Sequence, residues 1–235
     1  MLKFFKIGIV VLGILLFSTV YFRFEVATEK TFKERFTSKV DEVQNKIEDI
    51  KNNLKDLNTI KKVMDYEVLI FDFEQASFGV CTGTLIKVTD TTSIVLTAKH
   101  CIGVSEELVV ENHKVIDIEV SVSQDLALLT VEGVLDFKKT TTIRKQNAIM
   151  NTKIYGLGFA NSLEFPLIGK VLVTTNKKKH FVRMEVKGGC SGAGLFTKDL
   201  ELIGVVTARI GGFGLGIYIP IESVFEFFEE VGYEG

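Results

Sequence analysis

Tryptophan is absent from this chain, proline occurs only twice (Pro166 and Pro220), and cysteine three times (Cys81, Cys101 and Cys190). No C-x-x-C pair can be drawn from those cysteines, so a zinc site or a thioredoxin-like redox site has little support. An odd count also leaves at least one thiol outside any intrachain pairing. Charge of one sign is missing as well. With 28 basic against 30 acidic residues the net charge is −2, which gives no electrostatic footprint for a nucleic-acid partner. What is present is apolar residue, 46% of 235, with 20 glycines and many Val, Ile and Thr. A Gly-rich, Pro-poor chain of this kind leans towards a β-rich fold. Its length suffices for one sizeable domain with appendages, or for two small domains sharing a core.

Three textures follow one another. Residues 7–22, IGIVVLGILLFSTVYF, carry no charge, with Lys3 and Lys6 before them and Arg23 and Glu25 after. The run is at the short end for a bilayer span, and a cleaved signal peptide is its rival. Its exit, Tyr21-Phe22-Arg23-Phe24, is bulky and charged rather than small, which predicts an uncleaved signal anchor over 1–24. The basic residues before it would stay cytoplasmic, making a single-pass membrane protein with the remainder outside. Over 30–63, Phe36, Val40, Val43, Ile47, Ile50, Leu54 and Leu57 are spaced alternately four and three apart, with Lys, Glu, Asp and Asn between. That heptad pattern predicts a coiled-coil stalk and a homo-oligomer, against the alternative of one amphipathic helix packed on the following domain.

From residue 66 to 235 the pattern turns to short β-type runs. VLIFDF (68–73), FGVCTGTLIKV (78–88), SIVLTA (93–98), ELVV (107–110), VIDIEV (115–120) and LALLTV (126–131) form a first group. After a polar, basic stretch (138–147) come TKIYGLGF (152–159), IGKVLVTT (168–175), FVRMEV (181–186), LIGVVTA (202–208) and GIYIP (216–220). Many short strands of this kind predict a sandwich or barrel. Residues 221–231 have helical spacing of Val224, Phe227 and Phe228.

Three local patterns carry chemistry, in the order His, Asp, Ser. Thr97-Ala98-Lys99-His100-Cys101 closes a strand, Asp125-Leu126-Ala127-Leu128-Leu129 enters one, and Gly189-Cys190-Ser191-Gly192-Ala193-Gly194 is a glycine-rich turn. A serine hydroxyl is a poor nucleophile until a base takes its proton. A neutral imidazole does that near neutral pH, and a carboxylate fixes its tautomer and stabilises its charged form. Glycines beside the serine let backbone N–H groups turn towards a developing oxyanion. Each piece alone has an ordinary structural explanation; the three together, with matching flanks, do not.

TAKHC resembles the TAAHC motif of the trypsin/chymotrypsin family, DLALLTV its DIALL-type strand, and GCSGAGLF its GDSGGPL or GNSGGPL segment. CTGTLI (81–86) resembles the CGGSLI strand before the histidine, and the stretch GVVTARIGG…GIYIPIESV is similar to the end of the periplasmic heat-shock serine proteases. The resemblance covers 66–232 and includes no PDZ domain. It implies an all-β double six-stranded barrel with a C-terminal helix, preceded here by the transmembrane and coiled-coil helices. It implies a serine endopeptidase with His100, Asp125 and Ser191 as catalytic residues and the N–H groups of Gly189 and Ser191 as oxyanion hole. Thr207, Ala208 and Arg209 match the strand that lines the substrate cleft. It also implies a Cys81–Cys101 disulfide, leaving Cys190 a free thiol.

Protein or peptide is the partner so implied, without cofactor, metal or nucleic acid. Glu185, six residues before Ser191, lies near where the family places the floor of its specificity pocket. An acid there would suit Lys or Arg substrates; an ion pair with Arg183 or Lys187 is the competing reading. Cys190 stands where trypsin-like zymogens carry Asp, and no IVGG-like start exists, so activation by insertion of a new N-terminus is not expected. His113 and His180 lack catalytic flanks and are expected at the surface. The alternative to a peptidase is a catalytically silent, membrane-tethered scaffold.

Overall fold

The structure, a computed structural model, describes residues 29–72, 79–103, 108–173, 179–211 and 214–234, the side chains of 29–36, 79 and 173 excepted. The predicted anchor over 1–24 lies outside these residues. Among the described residues no helix is long and apolar enough to cross a membrane. The chain divides into two units, residues 1–52 and 53–235.

Helix α1 (Glu29–Val63) runs through the region marked by the heptads. Its seam residues Val43, Ile47, Ile50, Leu54 and Leu57 are all exposed. On the polar face Glu42 accepts from Lys39 and Lys46 at 2.7 and 2.6 Å, the three- and four-residue spacings at which helix neighbours meet. The last turn, within the second unit, is different: Ile60 and Val63 are buried in that unit's core.

Six strands close the first barrel: β1 (Glu67–Asp72), β2 (Gly79–Val88), β3 (Thr92–Thr97), β4 (Leu108–Val110), β5 (His113–Val120) and β6 (Ala127–Glu132), in ring order β1-β2-β3-β6-β5-β4. A two-residue strand β7 (Thr142–Ile143) leads to the second group, β8 (Lys153–Ala160), β9 (Leu163–Val173), β10 (His180–Arg183), β11 (Gly194–Phe196), β12 (Glu201–Ile210) and β13 (Leu215–Pro220). The order β11-β8-β9-β10-β13-β12 returns on itself through β11–β12 pairing, and β7 lies parallel to the start of β12. Helix α2 (Ile221–Glu230) follows. The double barrel with a C-terminal helix is thus present as expected.

The strands read as nearly continuous apolar runs because both of their faces are buried. Successive side chains leave a strand on opposite sides. Leu85, Leu129, Leu195 and Val206 fill barrel interiors, while their neighbours Ile86, Leu128, Phe196 and Val205 enter a third cluster between the barrels. Phe227 and Phe228 of α2 and Ile60 and Val63 of α1 complete that cluster. Three details differ from the sequence expectation. Strand β9 begins at Leu163, because Asn161 and Ser162 both take positive φ (51° and 63°) and turn β8 directly into it. Strand β10 stops at Arg183 instead of running to 186, and β11 lies inside the glycine-rich motif. His180 is buried, not at the surface: its ring meets the Tyr218 hydroxyl at 3.1 Å across the β10–β13 pair.

One acid is enclosed between the barrels. Glu67 of β1 has no exposed surface; it accepts from the Gly194 N–H of β11 at 2.9 Å and meets the Thr84 hydroxyl of β2 at 3.3 Å. Desolvation dominates over those hydrogen bonds and raises the Glu67 pKa well above its ordinary value. The folded state therefore holds this proton more tightly than the unfolded chain does. The stability it confers is fully present below the ordinary glutamate pKa and is lost as pH rises through the raised one. Glu67→Gln keeps an acceptor for Gly194 without an ionisable proton. Thermal unfolding across pH is expected to show the wild type losing stability relative to this variant as pH rises above the ordinary glutamate range; a constant difference would refute the assignment.

Candidate active site

The strand SIVLT ends at Thr97, and a 3-10 turn, Lys99–Cys101, presents His100. Cys101 is disulfide-bonded to Cys81 of β2, with Cα atoms 5.8 Å apart, so the turn is tied covalently to the neighbouring strand. The expected bridge is therefore formed, and Cys190 is the free cysteine, buried as anticipated. Burial pushes the Cys190 thiol pKa up, which keeps it in the unreactive protonated form.

Asp125 reaches His100 twice: the ring Nδ1 lies 2.8 Å from Oδ2, and the His100 N–H donates to Oδ1 at 3.0 Å. Burial works against the carboxylate, but the two hydrogen bonds from His100 outweigh it and hold the Asp125 pKa below the ordinary range. An ionised Asp125 can only accept, so Nδ1 carries the proton and Nε2 is left as the basic nitrogen. Asp125 is delivered by a turn that sequence reasoning did not connect to it. Ser121 Oγ accepts from the N–H groups of Ser123 and Gln124, and donates to Glu230 of α2 at 2.8 Å. Glu230 also takes the Val122 N–H at 2.6 Å, and Lys99, next to His100, donates to Ser121 O at 2.8 Å. Hydrogen bonds from Val122 and Ser121 keep Glu230 ionised by lowering its pKa.

Ser191 lies in the loop entering β11. Its carbonyl accepts from the Thr82 N–H at 2.9 Å and sits 3.5 Å from the disulfide sulfur of Cys101, so the loop adjoins the turn that bears His100. Within the described residues Ser191 Oγ makes no hydrogen bond, with His100 Nε2 or any other group. Gly189 (φ 92°) and Gly192 (φ 85°) hold the loop in the left-handed region. A Cβ at Gly189 would run into Phe159 O, and one at Gly192 into Thr82 O and Thr97 Oγ1, so only glycine fits. Backbone donors alternate along this loop. Cys190, Gly192 and Ala193 spend their N–H groups on Lys187 O, Val206 O and Cys190 O. Among the described residues the N–H groups of Gly189 and Ser191 have no protein acceptor.

Thr82 ties the loop to the first barrel, which sequence reasoning also missed. Its hydroxyl donates to Gly189 O at 2.7 Å and accepts from Phe159 N–H of β8 at 3.0 Å. Its carbonyl accepts from the Thr97 hydroxyl at 2.7 Å. No part of Thr82 is exposed. The signal for it was slight: a threonine one place after Cys81, in a strand that also carries Thr84 and Lys87.

Of the residues expected in the cleft, Thr207 is buried on β12 while Ala208 and Arg209 are exposed. Glu185 does not form a buried floor; its side chain is 70% exposed and pairs with Lys187 at 3.6 Å. Glu185 and Arg209 line one pocket of about 730 Å³ that adjoins Gly188.

No protein-family model and no curated protein sequence matches the chain. Solved structures do. The active form of the Rv3671c protease from M. tuberculosis superposes with a TM-score of 0.65 at 16% identity, covering 75% of this chain and 85% of that one. A serine endoprotease from Yersinia pestis gives 0.64 at 19%, covering 74% and 65%. The scabies mite inactivated protease paralogue gives 0.60 at 12%, covering 72% and 95%. The fold is that of the trypsin-like serine proteases.

Thr82→Val preserves shape but strips both hydroxyl bonds, leaving Gly189 O and Phe159 N–H buried without partners. An orphaned buried group costs about 1–3 kcal/mol, so unfolding experiments should show a loss of that size or more, which Thr82→Ser largely restores. Equal stability of wild type and Thr82→Val would show that the loop is held by other contacts.

Proposed function

We propose that the chain is a serine endopeptidase working through His100, Asp125 and Ser191. Ser191 Oγ attacks the peptide carbonyl carbon as His100 Nε2 takes its proton. The carbonyl oxygen becomes an oxyanion and is received by the N–H groups of Gly189 and Ser191. Collapse breaks the C–N bond, the amine leaves with the proton from Nε2, and an acyl ester remains on Ser191. Water, deprotonated by the same nitrogen, cleaves the ester and returns the serine. Asp125 stays ionised throughout, orienting the ring and balancing its charge.

The observation that carries this reading is that the N–H groups of Gly189 and Ser191, on either side of the engaged Cys190 N–H, have no acceptor among the described residues. An oxyanion site needs two donors with nothing else to do. Cys190 takes no covalent part, since its thiol is buried and kept protonated. A silent scaffold is the second reading, favoured by the open Oγ–Nε2 contact and by the inactivated protease among the structural neighbours.

In the cell the chain is held by residues 1–24 as a single-pass anchor, with the double barrel on the extracytoplasmic side. The apolar seam of α1, from Val43 to Leu57, pairs with further copies of the chain. Its 3.5-residue spacing and its exposure support this.

A fluorophosphonate probe separates the two readings of the barrel, because only an activated serine reacts. Labelling is expected at Ser191 and should vanish in Ser191→Ala and His100→Ala. Hydrolysis of a protein substrate should fall on the order of 10⁴-fold or more in either, without additivity in the double variant. An unlabelled Ser191 in folded protein would favour the scaffold; labelling of Cys190 instead would move the nucleophile by one position. For the seam, sedimentation of the chain should give an oligomer, and Ile47→Asp with Ile50→Asp should give a monomer. A monomeric wild type would rule the stalk assembly out.

A further inference from the structure

The pocket beside the Ser191 loop speaks to the class of substrate, on the premise that the chain is the peptidase proposed for it. It is lined by residue 161 and by residues 185–188, 209–211, 214 and 215. Gly188 adjoins Gly189, one of the two free donors. A carbonyl lying on the N–H groups of Gly189 and Ser191 therefore brings its own side chain to the mouth of this pocket. Among the described residues, a Cβ at Gly188, Gly211 or Gly214 would meet nothing within 4 Å, so the space beside these glycines is open. At about 730 Å³ the space takes any natural side chain.

Among the described residues three ionisable groups line it: Glu185, Lys187 and Arg209. Two of them are occupied with each other. Glu185 meets Lys187 at 3.6 Å, and the Lys187 ammonium is also 4.2 Å from the centroid of the Phe165 ring, which holds it in place. Arg209 has no carboxylate partner among the described residues. One carboxylate and two cations leave the lining with a surplus positive charge, carried by the side chain that is free to use it. A lysine or arginine of the substrate would meet a Glu185 already paired and an Arg209 that repels it. A carboxylate would find a guanidinium fork suited to bidentate hydrogen bonding.

We propose that Arg209 makes this pocket specific for an acidic side chain, Asp or Glu, on the residue whose carbonyl is attacked. Among the described residues no carboxylate pairs with the guanidinium, and the neutral wall formed by Val186 and Leu215 can pack the methylenes of a glutamate. The preference comes from an exposed charge pair, so it is graded, on the order of tenfold over the isosteric amide.

A synthetic peptide pool varied only at the residue before the cleaved bond, digested by the full chain and read by mass spectrometry, tests this. Cleavage after Glu and Asp should exceed that after Gln and Asn about tenfold, with Lys and Arg lowest. Arg209→Gln should bring the acidic peptides down to the level of the amides, and Arg209→Glu should invert the order in favour of Lys and Arg. Equal or preferred cleavage after Lys, Arg or large apolar residues overturns the proposal, as does an Arg209→Glu enzyme with unchanged preference. Should no peptide be cut and Ser191 resist the fluorophosphonate, the peptidase reading fails by itself. The affinities of Glu, Gln and Lys peptide amides for the same chain then decide: Glu tightest supports the pocket as described, and an unranked set refutes it.

Discussion

Thr82 is the point on which the two barrels turn. A buried hydroxyl has one proton and two lone pairs, and leaving any buried polar atom unmatched is costly. Thr82 sits in the first barrel, yet its N–H and hydroxyl are satisfied by Ser191, Gly189 and Phe159, all in the second half of the chain. The barrels cannot shift against each other without breaking these bonds together. The same bonds fix the carbonyls of the 189–191 loop and leave two of its N–H groups with no partner among the described residues. Rigidity and readiness at this loop thus have one cause.

The two acids near the site illustrate how environment divides one chemical group into two behaviours. Asp125 is partly buried but receives two hydrogen bonds from His100, which keep it charged and the imidazole oriented. Glu67 is wholly buried, its hydrogen bonds with a backbone N–H and a hydroxyl and the charge of Lys138 are outweighed by desolvation, and it retains its proton far more readily. Charge is thereby kept where it can act on the histidine and withheld from the interior between the barrels, where burial outweighs what would balance it. Cys190, also buried, follows the second pattern.

Legibility in the sequence followed distance along the chain. The residues TAKHC, DLALL and GCSGAG announce themselves because each motif is local, and the strands around them show as apolar runs. The disulfide between Cys81 and Cys101 came only through resemblance, since three cysteines allow several pairings. What stayed hidden is what connects elements far apart. The hydroxyl of Thr82 meets a carbonyl 107 positions away, and Glu67 meets an N–H 127 positions away. No periodicity encodes such meetings; they result from the way the barrels pack. His180 was misplaced for the same reason, because a histidine in a strand looks solvent-facing until its partner Tyr218 is known. For Glu185 the sequence left a pocket acid and an ion pair with Arg183 or Lys187 open; the pair with Lys187 is formed, on the lining of a pocket.

The clamp of Glu230 on the turn at Ser121 and Val122 has a consequence for the order in which the protein comes into being. On a ribosome the first barrel emerges well before helix α2, and the partner of Ser121 lies 109 positions further on. The nucleophile loop depends in turn on strands made much earlier. Neither barrel assembles its share of the site alone, and contacts this distant in sequence form late. The turn that carries Asp125 therefore stays unclamped until translation has passed α2 and the helix has docked.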